Sequence, residues 1–139
     1  MIERTLSIVA LDLEATGPDP QRDRITQFAL VGHGDSFTAL VNPGRDIPEE
    51  VVKLTGITNE MVSNAKPFSH HAPHIAAAIK GLPIVTYNGL RFDIPLLAEE
   101  FERAGVSYQF GPIIDCDAIF KQHHTRTLTD AVRIYLGGS

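Results

Sequence analysis

The chain has 139 residues, 43% of them hydrophobic and 21% charged, which suits one globular domain with a single core. Its lone cysteine, Cys116, excludes an internal disulfide. No apolar run approaches the length of a membrane span and the N-terminus has no signal-peptide segment, so we expect a cytoplasmic protein without membrane contact. Twelve basic against 17 acidic residues give a net charge of −5, which argues against a tight nonspecific grip on long duplex DNA.

Three strands are predicted first, close together along the chain. They cover residues 6–12, 25–31 and 36–41, and turn-rich stretches of glycine, proline and aspartate separate them. Connections this short predict an antiparallel meander.

Helices and strands then alternate. We predict helices at 47–54, 58–62, 68–80 and 92–104, strands at 82–87 and 113–114, and further helices at 118–122 and 127–135. A meander followed by alternation indicates an α/β fold with a mixed sheet, formed by one domain over residues 1–139. Ligands of such sheets bind at the carboxyl ends of the strands.

Acidic side chains follow two of these strands. Asp12 and Glu14 end the first apolar run, and their spacing of two places both on one face of a strand. Asp93 follows the buried strand at 82–87 and begins a helix, where the helix dipole favours an anion. If the two strands are neighbours, three carboxylates converge, which is costly unless cations bind them. The pattern therefore predicts a Mg²⁺-type site with a phosphate as the partner.

Several motifs, taken in order, resemble one family. They are Asp12-Leu-Glu-Ala-Thr-Gly17, Arg24-Ile25, Val41-Asn-Pro43, Ile47-Pro48, Thr55-Gly-Ile-Thr58 and Asn88-Gly-Leu-Arg-Phe-Asp93. Together they resemble the DEDD exonucleases, in particular the DEDDh branch that includes the proofreading epsilon subunits of DNA polymerase III.

This resemblance implies a fold and an activity. The fold would be ribonuclease H-like, and the activity would be 3′→5′ exonuclease hydrolysis of single-stranded or frayed ends, with release of nucleoside 5′-monophosphates. Two divalent metal ions, Mg²⁺ or Mn²⁺, would be the cofactors. The partners would be a nucleic-acid 3′ end, DNA rather than RNA, and a polymerase or another replication or repair protein.

The resemblance also assigns roles to single residues. Asp12 would bridge both metals, Glu14 would hold the metal that activates water, and Asp93 would serve the second metal. The terminal nucleotide would contact the backbone near Leu13, Thr16 and Gly17, an apolar wedge at Ile57, and a pocket shaped by Asn88 and Phe92. Ile57 has an alternative interpretation as loop packing, and Phe92 has one as core filler.

The third motif of the family departs from this pattern. It carries a histidine general base and, five residues later, a fourth metal-binding aspartate, whereas residues 127–137 resemble only the helix before it. We therefore expect the chain to lack the last helix of the fold. His124 and Asp130 are six residues apart and are interpreted as a solvated histidine and a surface acid. The alternative function is a catalytically weak or inactive module that binds a nucleic-acid 3′ end.

Overall fold

A mixed sheet forms the centre of the protein, in a computed structural model that describes residues 8–32, 35–87 and 89–116. Its strands are β1 (Val9–Ala15), β2 (Ile25–Gly32), β3 (Asp35–Leu40), β4 (Ile84–Thr86) and β5 (Ile113–Asp115). Their order is β3-β2-β1-β4-β5. The first three strands pair antiparallel, and β4 joins β1 in parallel, as β5 joins β4. The predicted meander and mixed sheet are confirmed.

Four helices complete the described part of the chain. They are α1 (Glu49–Thr55), α2 (Asn59–Ser63), α3 (Phe68–Ile79) and α4 (Asp93–Ala104), and each matches a predicted helix within a few residues. None of these helices has the length and apolar character that a membrane crossing requires. The predicted helices at 118–122 and 127–135, together with Asn88, His124 and Asp130, lie outside the described residues.

The main core lies between one face of the sheet and helices α3 and α4. Burial alternates along β1, so that Val9, Leu11, Leu13 and Ala15 enter the core while Asp12 and Glu14 occupy the other face. The strand was predicted to end at Asp12, but it continues to Ala15 because Leu13 and Ala15 still find apolar partners. Glu14 therefore lies within β1 together with Asp12, instead of after the strand.

The order of the strands reverses at β1, the central strand of the sheet. From this central strand the chain runs outward through β2 and β3, and it later returns to form β4 and β5 on the other side. β4 is short and pairs with β1 only at Val9 and Ala10. Beyond Ala10, the β4 side of β1 has no partner strand among the described residues. A reversal of strand order of this kind creates the crevice in which α/β proteins bind ligands.

Candidate active site

A cleft of about 740 Å³ opens at this reversal. Three parts of the chain line the cleft. The end of β1 and the turn after it contribute Leu13, Glu14 and Gly17, and helix α1 contributes Val51 and Leu54. The segment that leads into α4 contributes Tyr87, Arg91, Phe92 and Asp93. Five residues predicted from the sequence to form a site therefore line one cleft. They are Leu13, Glu14, Gly17, Phe92 and Asp93.

The carboxylates share one electrostatic environment. Asp93 is only 6% exposed, and its burial, followed by the charges of Asp12, Glu14 and Asp115, raises its pKa to about 7. A hydrogen bond from the Leu13 backbone opposes part of this rise. Burial also raises the pKa of Asp12, and burial and then the charge of Asp12 raise the pKa of Glu14. The negative charges of Asp12 and Glu14 thus act on Asp93.

A second buried acid on α4 gives an internal comparison. Glu100 is 1% exposed and follows Asp93 by two helical turns. Its carboxylate lies 3.0 Å from Nη2 of Arg24 and accepts the N–H of Ile25 at 2.9 Å. Asp93 makes no ion pair with any described residue. Because an unpaired buried charge is costly, the environment of Asp93 suits a cation supplied from solution.

The ligand geometry is less complete than the charge pattern. Within residues 8–32, 35–87 and 89–116, no three side chains of His, Cys, Asp or Glu are close enough together to hold a metal ion. Asp12, Glu14 and Asp93 therefore do not form a complete set of ligands in this structure, and their role as a metal site stays a prediction. A cation bound here would have to draw the carboxylates together.

The turn after β1 is fixed by hydrogen bonds that sequence reasoning missed. Thr16 is buried, and its hydroxyl donates to Asp23 Oδ1 at 2.8 Å and accepts the Arg24 N–H at 3.1 Å. The Thr16 N–H donates to the Arg24 carbonyl and is therefore not available to a nucleotide, which limits the predicted backbone contact. A Cβ on Gly17 would lie 2.6 Å from Asp23 Oδ2, so glycine leaves room for this carboxylate.

Ile57, the predicted wedge, is buried. It is 4% exposed and packs with Ile47 and Val62 in a small core, which agrees with its interpretation as loop packing and leaves no exposed surface for a wedge. Leu54 is 85% exposed and lines the cleft. Gly56, in the left-handed region with φ 79°, ends α1 and separates the two side chains. The sequence feature that could have identified Leu54 as a cleft residue is its position directly before Thr55-Gly56.

Phe92 packs against the core and also lines the cleft, so its contact with a nucleotide stays a prediction. It is half-buried, it packs against the main core, and it lines the cleft next to Asp93. Its ring therefore stabilises the start of α4 and forms part of the cleft wall.

Comparisons with known proteins agree with the motifs. The exonuclease family model RNase_T matches residues 9–137. The 3′-5′ exonuclease DinG of Bacillus subtilis is 32% identical over 117 residues, which are 80% of this chain and 12% of DinG. The DNA polymerase III subunit epsilon of Treponema pallidum is 31% identical over 104 residues, which are 71% of this chain and 48% of that subunit.

A solved structure shows the same fold. Exonuclease I in its apo form matches with a TM-score of 0.76 at 21% identity, over 85% of this chain and 30% of that protein. The predicted ribonuclease H-like sheet is thereby confirmed. The chain spans less than half the length of each of these three proteins. The chain belongs to the RNase_T exonuclease family, the DEDD-type 3′→5′ exonucleases that its sequence motifs indicated.

Proposed function

We propose that this protein is a metal-dependent 3′→5′ exonuclease that removes nucleotides from single-stranded or frayed ends. Water attacks the phosphorus of the terminal phosphodiester, the bond to the 3′-oxygen of the next nucleotide breaks, and a nucleoside 5′-monophosphate leaves. The observation that carries this proposal is the buried, unpaired Asp93, which meets the charges of Asp12 and Glu14 at the cleft.

The three carboxylates are proposed to hold two divalent ions, Mg²⁺ or Mn²⁺. When bound, such ions lower the pKa of a water molecule and stabilise charge on the leaving oxygen. Until then, burial and like charges hold the pKa of Asp93 near 7, so that its carboxylate is partly protonated at neutral pH. A cation makes the ionised form of Asp93 favourable, and the acids then act as ligands.

The apolar walls of the cleft are proposed to receive the terminal base. Val51 and Leu54 of α1 and the ring of Phe92 offer hydrophobic surface without a pattern of hydrogen-bond donors and acceptors. Bases that stack on such surfaces bind with little sequence preference, as an exonuclease requires. Leu54 takes the role that the sequence had assigned to Ile57.

DNA is proposed as the substrate in preference to RNA, and a polymerase as a partner. Both rest on similarity to the Treponema pallidum polymerase subunit. Neither proposal depends on a contact in the cleft.

The decisive test uses a 5′-fluorescein-labelled oligothymidylate with Mg²⁺ or Mn²⁺. We expect a ladder of products shortened from the 3′ end, release of thymidine 5′-monophosphate, and complete inhibition by EDTA. D12A should lower the rate by about 10³-fold or more, since several kcal/mol of transition-state stabilisation depend on the metals. The control D46N changes an exposed acid outside the cleft and should keep the wild-type rate.

Two outcomes would contradict the proposal. Hydrolysis by D12A at the wild-type rate would exclude a role for the carboxylates. Tight binding of the oligonucleotide by the wild-type protein, without hydrolysis at any metal concentration, would favour the alternative of a 3′-end binding module.

A further inference from the structure

The cleft carries the same sign of charge as the strand that it is proposed to take. Glu14, Glu50 and Asp93 line it, and the net charge of the whole chain is −5. A nucleic-acid strand adds a negative charge at each phosphate, and its binding is dominated by contacts from lysine and arginine to those phosphates. Metal ions bound by the acids would neutralise the terminal phosphate. The phosphates upstream of it along the strand still need a cation.

Arg91 is the only lysine or arginine among the described residues that line the cleft. It is exposed, it stands two residues before Asp93, and it makes no ion pair with any described residue. The guanidinium is therefore available to a ligand.

The segment that carries Arg91 has a fixed position. A Cβ on Gly89 would lie 2.2 Å from the Thr86 hydroxyl, so the turn is pressed against the end of β4. The Gly89 carbonyl accepts the Ile94 N–H at 2.8 Å, which joins the turn to the start of α4. Arg91 is thus held at a set place along the cleft, and only its flexible side chain needs to be ordered on binding.

We propose that Arg91 binds the phosphodiester backbone of the strand just upstream of the terminal nucleotide. This inference rests on the proposed function and names a contact that sets the affinity for a polynucleotide. The terminal phosphate is assigned to the acids and their metals, so the phosphates upstream of it are the ones left for Arg91. A guanidinium matches two phosphate oxygens in a bidentate contact, which a lysine ammonium does not reproduce.

The kinetic test compares a long and a minimal substrate. Fluorescein-labelled oligothymidylate contains the upstream backbone, and the p-nitrophenyl ester of thymidine 5′-monophosphate lacks it. We expect R91A to lower kcat/KM for the oligonucleotide through KM by about 10- to 100-fold, the value of one charged hydrogen-bonded contact. This loss should exceed the loss on the ester at least tenfold. R91K should recover part of the affinity, and K80A, which removes a positive charge outside the cleft, should stay within about twofold of wild type.

A binding test decides the inference even if the protein has no activity. Fluorescence anisotropy of the labelled oligothymidylate in EDTA, repeated over a range of salt concentrations, gives the affinity and its salt dependence. In R91A the slope of log K against log salt should fall by about 0.7, which corresponds to one phosphate contact on a single strand. K80A should keep the wild-type slope.

The outcomes separate the two proposals. If wild-type protein hydrolyses neither substrate but R91A lowers both affinity and slope, the exonuclease proposal fails and the Arg91 contact stands. If R91A lowers kcat/KM equally on both substrates, or leaves affinity and slope unchanged in the anisotropy test, the inference about the upstream backbone is wrong.

Discussion

Replacement of Asp93 by asparagine should stabilise the metal-free protein in a way that depends on pH. The folded protein raises the pKa of Asp93 from 3.8 to about 7, so the folded state holds a proton that the unfolded state has lost between these values. The stability of the wild type must therefore fall as the pH rises through this window, and the full cost of about 4 kcal/mol is reached above pH 7. Asparagine keeps the shape of the side chain and cannot ionise.

The expected signal is a difference that grows with pH. At pH 5 part of the cost is already present, so the advantage of D93N over wild type should widen by ~1–3 kcal/mol between pH 5 and pH 8. Asp12 and Glu14 titrate in both proteins and largely cancel in this difference. The chain has no tryptophan, so urea denaturation in EDTA is best followed by circular dichroism.

Metal should reverse the comparison. Mg²⁺ that binds only the folded state raises its stability by mass action, and D93N, which lacks one carboxylate, should gain less than wild type. D46N, which replaces an exposed acid, should follow the wild-type pH curve within ~0.5 kcal/mol. A constant difference between D93N and wild type from pH 5 to pH 8, or a D93N protein less stable at pH 8, would refute the reasoning.

Three further tests, with five substitutions, concern other parts of the site. E100A should cost about 2–4 kcal/mol in urea denaturation because it leaves the buried N–H of Ile25 and the partly exposed guanidinium of Arg24 without their carboxylate, whereas E49A breaks only an exposed ion pair and should cost ~0.5 kcal/mol or less; similar values for the two would contradict the assignment. L54S should lower kcat/KM on an oligonucleotide with little change in the free energy of unfolding, whereas I57A should lower that free energy by ~2–4 kcal/mol. A loss of stability in L54S but not in I57A would show that Leu54 is the packed residue and Ile57 the exposed one. G17A should displace the carboxylate of Asp23, lower the free energy of unfolding by ~1–3 kcal/mol and reduce nuclease activity. A G17A protein equal to wild type in urea denaturation and in activity would show that Asp23 does not fix the turn in this way.

Local periodicity predicted the features that depend on a single element. The alternation in β1 requires only the two-residue repeat of a strand, so the shared face of Asp12 and Glu14 was readable from the sequence. The start of α4 at Asp93 was readable for a similar reason, since a charged residue preceded an amphipathic repeat. These are the parts of the site in which the sequence and the fold agree.

Features that depend on distant partners were not predictable in the same way. The end of β1 at Ala15 depends on core partners that other elements supply, and Glu100 could not be paired with Arg24, 76 positions away, without the fold. Leu54 precedes and Ile57 follows the turn at Gly56, and Ile57 is buried because it packs with Ile47 and Val62, a contact that the motif alone does not show. A family motif predicts that such a turn is present more reliably than it predicts where the side chains around the turn point.

The alternation of β1 has a consequence for damaged forms of the protein. One set of positions in this strand builds the core, and the interleaved set carries the acids. Mutations that delete the acids therefore spare the residues on which folding depends, and the resulting protein should survive cellular quality control.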